Sequence, residues 1–158
     1  MGVHTTEPPR PLILVIDDDD PTREALVLAL EAHGYRATGT ADGAAAMKML
    51  ESDRPAAIVL DLYMPDMDGM ALVGALRAQP DAASTSIVFL SGDQDSETRF
   101  QALAAGGDDF LTKPILPRHL VAAVLTRGRR ARQLHASTRA PASAGSTASN
   151  VFEMRRAG

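Results

Sequence analysis

The sequence predicts an α/β fold, a doubly wound parallel sheet with helices on both faces. Short runs of consecutive apolar residues indicate the strands, because a strand buried on both faces needs apolar side chains in both directions. Segments with helical periodicity alternate strictly with these runs along the chain. Five such strand and helix pairs are typical of a five-stranded parallel sheet joined by right-handed crossovers.

The first strand and helix have the clearest boundaries. An apolar strand is predicted over 11–16, and Asp20-Pro21 predicts a helix start, with Asp20 as the N-cap and Pro21 as the first helical residue. Gly34 predicts the end of this helix, since glycine is favoured just after a helix C-terminus. The buried side of the helix is predicted to consist of Leu26, Leu28 or Ala29, and Leu30.

The later elements are marked by caps and breaks of the same kind. Asp42 precedes the second helix, which ends before Pro55. Asp68 and Gly69 predict a turn and a helix start rather than a calcium loop, because Met64 stands where such a loop needs an acid or Asn. The remaining strands are predicted over 35–40, 57–60, 87–90 and 110–111, and the remaining helices over 43–50, 69–79, 95–105 and 117–134.

Composition excludes several classes of protein. Hydrophobic residues are 45% of the chain and aromatic residues 4%, so a core of aliphatic side chains is expected. A net charge of −4 argues against nucleic-acid binding, which needs clustered Lys and Arg. The absence of Cys excludes thiolate metal sites and Cys nucleophiles. No apolar run approaches the roughly 18 residues that cross a bilayer, and no signal segment is visible, so a cytoplasmic protein with no membrane partner is expected.

Three segments are expected along the chain. Residues 1–10 are predicted to be a flexible leader, 11–134 the folded domain, and 135–158 an Ala/Ser-rich linker or tail. The last segment has too little apolar surface to offset the entropy of ordering it. Arginines late in the last predicted helix favour a solvated helix C-terminus over a partner site; they are Arg127, Arg129, Arg130 and Arg132.

Polar and charged residues follow four of the predicted strands. Asp17 and Asp18 follow the first strand, Asp61 the third, Ser91 the fourth and Lys113 the fifth. The carboxyl ends of parallel strands meet at one edge of a sheet, which is where open α/β sheets bind ligands. The sequence therefore predicts that these residues share one site.

The predicted site suits phosphoryl transfer. Three carboxylates held close together need a cation to stay ionised, and oxygen ligands favour a hard divalent ion such as Mg²⁺, with Mn²⁺ as an alternative. Mg²⁺, Lys113 and Ser91 would contact the oxygens of an incoming phosphoryl group. Asp61 is then the candidate nucleophile, forming an aspartyl phosphate.

Four motifs resemble the response-regulator receiver domain of two-component signalling. They are Val15-Ile16-Asp17-Asp18, the stretch from Leu60-Asp61 through Met64-Pro65 to Asp68-Gly69, Phe89-Leu90-Ser91-Gly92, and Phe110-Leu111-Thr112-Lys113-Pro114. The resemblance covers about 11–134. It implies a flavodoxin-like receiver fold with strand order 2-1-3-4-5, and a switch in a phosphorelay rather than an enzyme, apart from self-phosphorylation and autodephosphorylation.

The resemblance also implies a role for each site residue. Asp61 would accept the phosphoryl group from a sensor histidine kinase or a phosphotransfer protein. Asp18, Asp61 and the backbone carbonyl of Tyr63 would bind the metal directly, and Asp17 through a water molecule. Lys113 would pair with the phosphoryl group, and the Lys113-Pro114 peptide bond would be cis.

Further implied roles concern the switch. Ser91 would move toward the phosphoryl group, and the ring of Phe110 would move inward with it. Tyr63 and Asp93 would modulate dephosphorylation. The face built from 95–134 would bind partners or a second copy of the chain.

Two alternatives remain open. A Mg²⁺-dependent aspartyl-phosphate phosphatase of the haloacid-dehalogenase type would use the same chemistry, but Pro21 breaks the motif that this family needs after its first strand. The chain is alternatively a receiver fragment of a longer multidomain regulator, since receivers join output domains through linkers such as the one predicted here.

Overall fold

The computed structural model describes residues 9–80, 84–92 and 94–126. The predicted tail over 135–158 and all but two residues of the predicted leader lie outside these ranges. So do Asp93 and the second half of the last predicted helix, with its four arginines.

The sheet has five parallel strands. They are β1 (Leu12–Ile16), β2 (Arg36–Thr40), β3 (Ala57–Asp61), β6 (Ser86–Ser91) and β7 (Asp109–Thr112), while β4 (Tyr63–Met64) and β5 (Met67–Asp68) form a separate hairpin. The strand order is β2-β1-β3-β6-β7, with every neighbouring pair parallel. This is the predicted order 2-1-3-4-5 when only the strands of the main sheet are counted, so the predicted fold class is confirmed.

Helices cover both faces of the sheet. They are α1 (Asp20–Ala32), α2 (Gly43–Ser52), α3 (Gly69–Arg77), α4 (Ser96–Ala104) and α5, whose described part is 117–126. Helices α2, α3 and α4 pack on one buried cluster, and α1 and α5 pack on a second. Among the described residues, no helix is long and apolar enough to cross a bilayer.

The strands divide their side chains between these two clusters. Leu14 and Ile16 of β1 belong to the cluster under α2, α3 and α4, whereas Ile13 and Val15 belong to the cluster under α1 and α5. Successive residues of a strand point to opposite faces, and both faces are covered here. This is why β1, β3 and β6 appear in the sequence as continuous apolar runs, whereas the edge strand β2 does not.

The start of α1 differs by one residue from the prediction. The N-cap is Asp19, whose carboxylate accepts a hydrogen bond from the Thr22 backbone N–H at 3.0 Å, and not Asp20, which is the first helical residue. Proline is acceptable throughout the first helical turn, because the N–H groups there have no partner within the helix. Pro21 is therefore compatible with either Asp19 or Asp20 as the N-cap.

For the buried side of α1, either Leu28 or Ala29 was predicted beside Leu26 and Leu30. Leu26 and Leu30 are buried, but Leu28 is 65% exposed, so the choice of Leu28 is wrong. Positions 26 and 30 are one turn apart, whereas position 28 lies on the opposite side of the helix. The helix ends as predicted, with His33 as C-cap and Gly34 at a φ of 87°.

A short hairpin follows β3 and was not predicted as a separate element. Strands β4 (Tyr63–Met64) and β5 (Met67–Asp68) are antiparallel, with Tyr63 opposite Asp68 and Met64 opposite Met67. Two-residue strands have no periodicity to detect, so the sequence shows only the turn between them. Asp68 then caps α3, as predicted, by accepting a hydrogen bond from the Met70 N–H at 2.9 Å.

Candidate functional site

The predicted site residues meet at the carboxyl edge of the sheet. Asp17 follows the last residue of β1, Asp61 ends β3, Ser91 ends β6, and Lys113 follows the last residue of β7. Strand β1 lies between β2 and β3, so the strand order reverses next to Asp17. Doubly wound sheets bind ligands at this reversal.

Lys113 joins two of the carboxylates. Its Nζ donates to Asp17 Oδ2 at 2.9 Å and to Asp61 Oδ2 at 3.1 Å. Asp17 is fully buried, Asp61 is 5% exposed, and the Lys113 side chain is 26% exposed. The lysine approaches from β7, two strands away from β3, across the top of the sheet. Its preceding residue pairs with Ser91, and the Lys113-Pro114 peptide bond is cis.

These contacts set the charge state of the site. Burial raises the pKa of Asp61 above its usual value of 3.8, and the hydrogen bond from Lys113 only partly opposes this effect. Burial by itself lowers the pKa of Lys113, but hydrogen bonds to Asp17 and Asp61 outweigh it and leave the pKa above 10.5. Lys113 therefore stays positively charged, while Asp61 takes up a proton more readily than an exposed aspartate does.

Three carboxylates form a cluster that can hold a metal ion. Oxygen atoms of Asp17, Asp18 and Asp61 lie within 4.8 Å of one another. Asp17 and Asp61 are buried, whereas Asp18 is exposed, so the cluster is open on one side. A set of oxygen donors with room for water suits a hard divalent cation.

Arg23 supports the turn that carries Asp17 and Asp18, a function that the sequence did not reveal. Its guanidinium donates to the Asp17 carbonyl at 2.7 Å and also pairs with Asp20. A β-carbon on Gly39 would lie 2.8 Å from Arg23 Cγ, so the arginine stem lies directly on strand β2. The contact depends on a strand far along the chain, and a helical arginine gives no such signal in the sequence.

The backbone after Asp61 is held closely. The Leu62 N–H donates to the Leu90 carbonyl at 2.8 Å, and the Tyr63 N–H donates to Asp61 Oδ1 at 3.2 Å. A β-carbon on Gly69 would lie 3.2 Å from the Asp61 carbonyl oxygen and 3.1 Å from that of Leu62. The start of α3 therefore packs against the segment that presents Asp61.

The residues assigned to the switch lie on β6 and β7. Ser91 is fully buried, and its carbonyl accepts a hydrogen bond from the Lys113 N–H at 2.7 Å. Phe110 is 5% exposed and packs in the cluster under α2, α3 and α4. The Arg99 guanidinium of α4 lies 5.9 Å from the centroid of the Phe110 ring, within cation–π range. Tyr63 is 56% exposed, at the rim of the site.

A five-stranded sheet in this order, with clustered aspartates and a lysine at its carboxyl edge, is the architecture of a signalling receiver. Residues 13–125 match the family model described as the response regulator receiver domain, and the chain belongs to this family. The match covers every predicted site residue and the five strands of the main sheet except Leu12, the first residue of β1. The resemblance found in the motifs is therefore confirmed.

Several relatives are response regulators. The transcriptional regulatory protein PrrA of Mycobacterium tuberculosis is 39% identical over 114 residues, which are 72% of this chain and 48% of PrrA. The response regulator MprA of Mycobacterium ulcerans is 40% identical over 110 residues, 70% of this chain and 47% of MprA. The chain thus spans about half the length of these relatives.

Solved structures agree with the fold. The receiver domain of the Francisella response regulator 1452 has a TM-score of 0.71 at 30% identity, covering 77% of this chain and 98% of that one. The chemotaxis response regulator CheY4 of Vibrio cholerae has a TM-score of 0.71 at 28% identity, covering 75% and 98%. Receiver domains of two-component systems work with histidine kinases. The matches give no support to the haloacid-dehalogenase alternative.

Proposed function

We propose that the chain is a phosphorylatable switch that accepts a phosphoryl group on Asp61 from a sensor histidine kinase or a phosphotransfer protein. The observation that carries the proposal is the position of Lys113, which donates to the buried Asp61 and Asp17 beside the open side of the acidic cluster. A nucleophile, a fixed cation and a group of metal-binding oxygens thus lie at one point of the sheet. Phosphoryl transfer requires little more than this positioning and charge neutralisation.

The chemical step exchanges one bond to phosphorus for another. A carboxylate oxygen of Asp61 attacks the phosphorus of a phosphohistidine while the P–N bond breaks, and its electron pair stays on the imidazole nitrogen. The product is an acyl phosphate on Asp61. The Lys113 ammonium, already 3.1 Å from Asp61 Oδ2, is placed to neutralise negative charge on the phosphoryl oxygens.

The donor atoms around Asp61 fit Mg²⁺, with Mn²⁺ as a substitute. Asp18, Asp61 and the backbone carbonyl of Tyr63 would hold the ion directly, and Asp17, which is fully buried and paired with Lys113, would act through a water molecule. When bound, the ion supplies positive charge that offsets the repulsion between an incoming phosphoryl group and the three aspartates.

The switch would operate through β6, β7 and α4. Ser91 would hydrogen-bond the phosphoryl group, and Phe110 would adjust its packing in response. Phenylalanine has no hydroxyl group, so the two states of this ring differ in packing and in its contact with Arg99 rather than in a hydrogen bond. Tyr63 and Asp93 would flank the phosphoryl group and modulate its hydrolysis.

The domain boundaries, the location and the chemistry of the whole chain follow from the same proposed function. Residues 11–134 would form the receiver, with a leader before it and an Ala/Ser-rich linker or tail after it. The receiver would act in the cytoplasm, where it meets its kinase. Its own chemistry would be limited to self-phosphorylation from a donor and autodephosphorylation.

Labelling by a small phosphodonor tests the assignment of Asp61. The wild-type chain, incubated with radiolabelled acetyl phosphate and Mg²⁺, is expected to take up label that is lost in alkali, and Asp61→Asn is expected to take up none. Asp66→Asn is the matched control, because Asp66 is an exposed acid on the nearby hairpin. Stable labelling of Asp61→Asn would show that another residue is the acceptor.

A further inference from the structure

A glycine and a methionine next to the acidic cluster make an unusually close contact. A β-carbon on Gly43 would lie 1.6 Å from Met67 Sδ, 2.5 Å from its Cε and 3.2 Å from its Cγ. The end of the Met67 side chain therefore occupies the space that any larger residue at position 43 would need. Gly43 does not have a positive φ, so a larger residue there would not strain the backbone but would have to displace the end of the Met67 side chain.

We propose that Gly43 and Met67 position the hairpin β4–β5 for metal binding, by docking this hairpin onto the start of helix α2. The inference rests on the proposed function, because it concerns the carbonyl of Tyr63 as a metal ligand. Tyr63 lies on the strand opposite Met67, and the hairpin pairs Tyr63 with Asp68 and Met64 with Met67. Met67 and Tyr63 therefore belong to one hairpin of two residue pairs, and Met67 lies opposite the neighbour of Tyr63.

The partner surface on α2 is itself fixed. Asp42 caps this helix by accepting a hydrogen bond from the Ala44 N–H at 2.7 Å, and Ala46 is fully buried in the core. Gly43 lies between these two anchors and is buried as well. Because Ala46 anchors this end of α2 in the core, a larger residue at position 43 would displace the end of the Met67 side chain and loosen the contact between the hairpin and α2.

The hairpin also borders the exposed carboxylate of the cluster. Asp18 shares one cleft with Tyr63, Met64 and Met67, and a second cleft with Gly43, Met64 and Met67. Met67 thus lines both clefts on the open side of the acidic cluster. Gly43 and Met67 are positioning residues, since neither would contact the metal.

The test compares Gly43→Ala, Met67→Ala and the double variant in the full chain. Gly74→Ala is the matched control, because a β-carbon on Gly74 meets nothing within 4 Å. Amide chemical shifts of residues 63, 64 and 66–68 are measured without metal, and the dissociation constant for Mg²⁺ is measured by calorimetry. Gly43→Ala is expected to shift these amides and to weaken Mg²⁺ binding about 10-fold, as is usual for residues that support metal ligands. Gly74→Ala is expected to change neither.

The double variant identifies Met67 as the cause. In the Met67→Ala background, the atoms that a β-carbon at position 43 would meet are absent. Gly43→Ala is then expected to change Mg²⁺ binding by less than about twofold, the tolerance within which independent effects add. Equal weakening in both backgrounds, or unchanged binding in Gly43→Ala, would overturn the proposal. If Gly43→Ala does not fold, recovery of the fold in the double variant supports the clash with Met67, and failure of both to fold overturns it.

The same experiment separates this inference from the proposed function. If the wild-type chain binds no Mg²⁺, the proposed function and the metal-positioning role both fall. The docking contact is then judged by the metal-free amide shifts alone. If the wild type binds Mg²⁺ and Gly43→Ala leaves these amide shifts unchanged, only the present inference is wrong.

Discussion

At the scale of single residues, folding buries the negative charge of Asp61 at a cost in free energy. The pKa of Asp61 is raised by burial even though Lys113 donates to it, which means that folding disfavours its carboxylate form. Lys113 shows the opposite balance. Its raised pKa stabilises the fold at every pH below 10.5, and this stabilisation is lost as the pH rises through the still higher pKa of the folded state.

A stability measurement on Asp61→Asn tests this account. In metal-free buffer at pH 7, the substitution is expected to raise the free energy of unfolding by about 0.5–2 kcal/mol, the range typical of one stabilising substitution, because it removes a buried negative charge. The gain should shrink as the pH falls through the raised pKa of Asp61 toward 3.8, because the wild-type carboxylate is then protonated in the folded state first. Urea unfolding at several pH values provides the measurement.

Asp66→Asn serves as the control for this prediction. Asp66 is exposed, so its neutralisation should change the free energy of unfolding by less than about 0.5 kcal/mol at any pH. A loss of stability in Asp61→Asn at pH 7 would mean that the hydrogen bond from Lys113 outweighs the cost of burying the Asp61 carboxylate.

At the scale of elements, one arginine joins three segments at the opposite edge of the sheet. Arg77 lies at the end of α3, and its guanidinium donates to the Gly106 carbonyl at 2.9 and 3.0 Å, to the Thr85 carbonyl at 2.8 Å and to Asp108 Oδ2 at 2.8 Å. Asp108 Oδ2 also accepts from the Ile87 N–H at 2.7 Å. The contacts tie α3 to the start of β6 and to the loop between α4 and β7.

Replacing Arg77 should therefore loosen this edge. Arg77→Ala is expected to lower the free energy of unfolding by about 2 kcal/mol, because it leaves backbone carbonyls and a carboxylate without their charged donor. Arg77→Lys should recover only part of this loss, since lysine lacks the planar fork. Urea unfolding measures both. Arg118→Ala, at an exposed arginine, should cost less than about 0.5 kcal/mol, and an equal cost for Arg77→Ala would show that these contacts are not stabilising.

At the scale of the whole molecule, helix α4 presents apolar side chains to solvent beside an edge strand. Phe100 is 67% exposed and Leu103 is 37% exposed, three residues apart on the same side of α4. Strand β7 ends the sheet on this side. The ring of Phe110 on β7 contacts Arg99 of α4, which links this face to the strand that precedes Lys113. These side chains lie in the face within 95–134 that is predicted to bind partners or a second copy of the chain.

Sedimentation or size exclusion with the phosphate mimic beryllofluoride and Mg²⁺ tests the dimer. The wild-type chain is expected to shift to a dimer, and Phe100→Asp to weaken dimerisation about 30-fold, as expected for a central aromatic contact. Leu28→Asp should dimerise normally, because Leu28 is equally exposed but lies on α1. Absence of any shift in the wild type would instead favour a monomer that passes its signal to a separate partner.

Much of this architecture was predictable from local patterns. Continuous apolar runs marked β1, β3 and β6 because both faces of the sheet are covered there, and polar residues after those runs marked the carboxyl edge. The sequence-based prediction was less exact where one local signal was compatible with two structures. Both Asp19 and Asp20 are good capping residues, and only the hydrogen bond to Thr22 distinguishes them. Leu28 matched the apolar composition of α1 but faces solvent.

The sequence by itself determined the fold class and which residues share the carboxyl edge, since alternation along the chain dictates these through the geometry of parallel sheets. Its four motifs determined the family. The tertiary structure alone decided how these residues meet. Lys113 donates to both Asp17 and Asp61, Arg23 lies on Gly39, and Met67 fills the space beside Gly43. Such contacts join residues that are far apart in sequence. They depend on atomic positions to within a few tenths of an ångström. The packing of the whole domain sets these positions, and no local pattern encodes them.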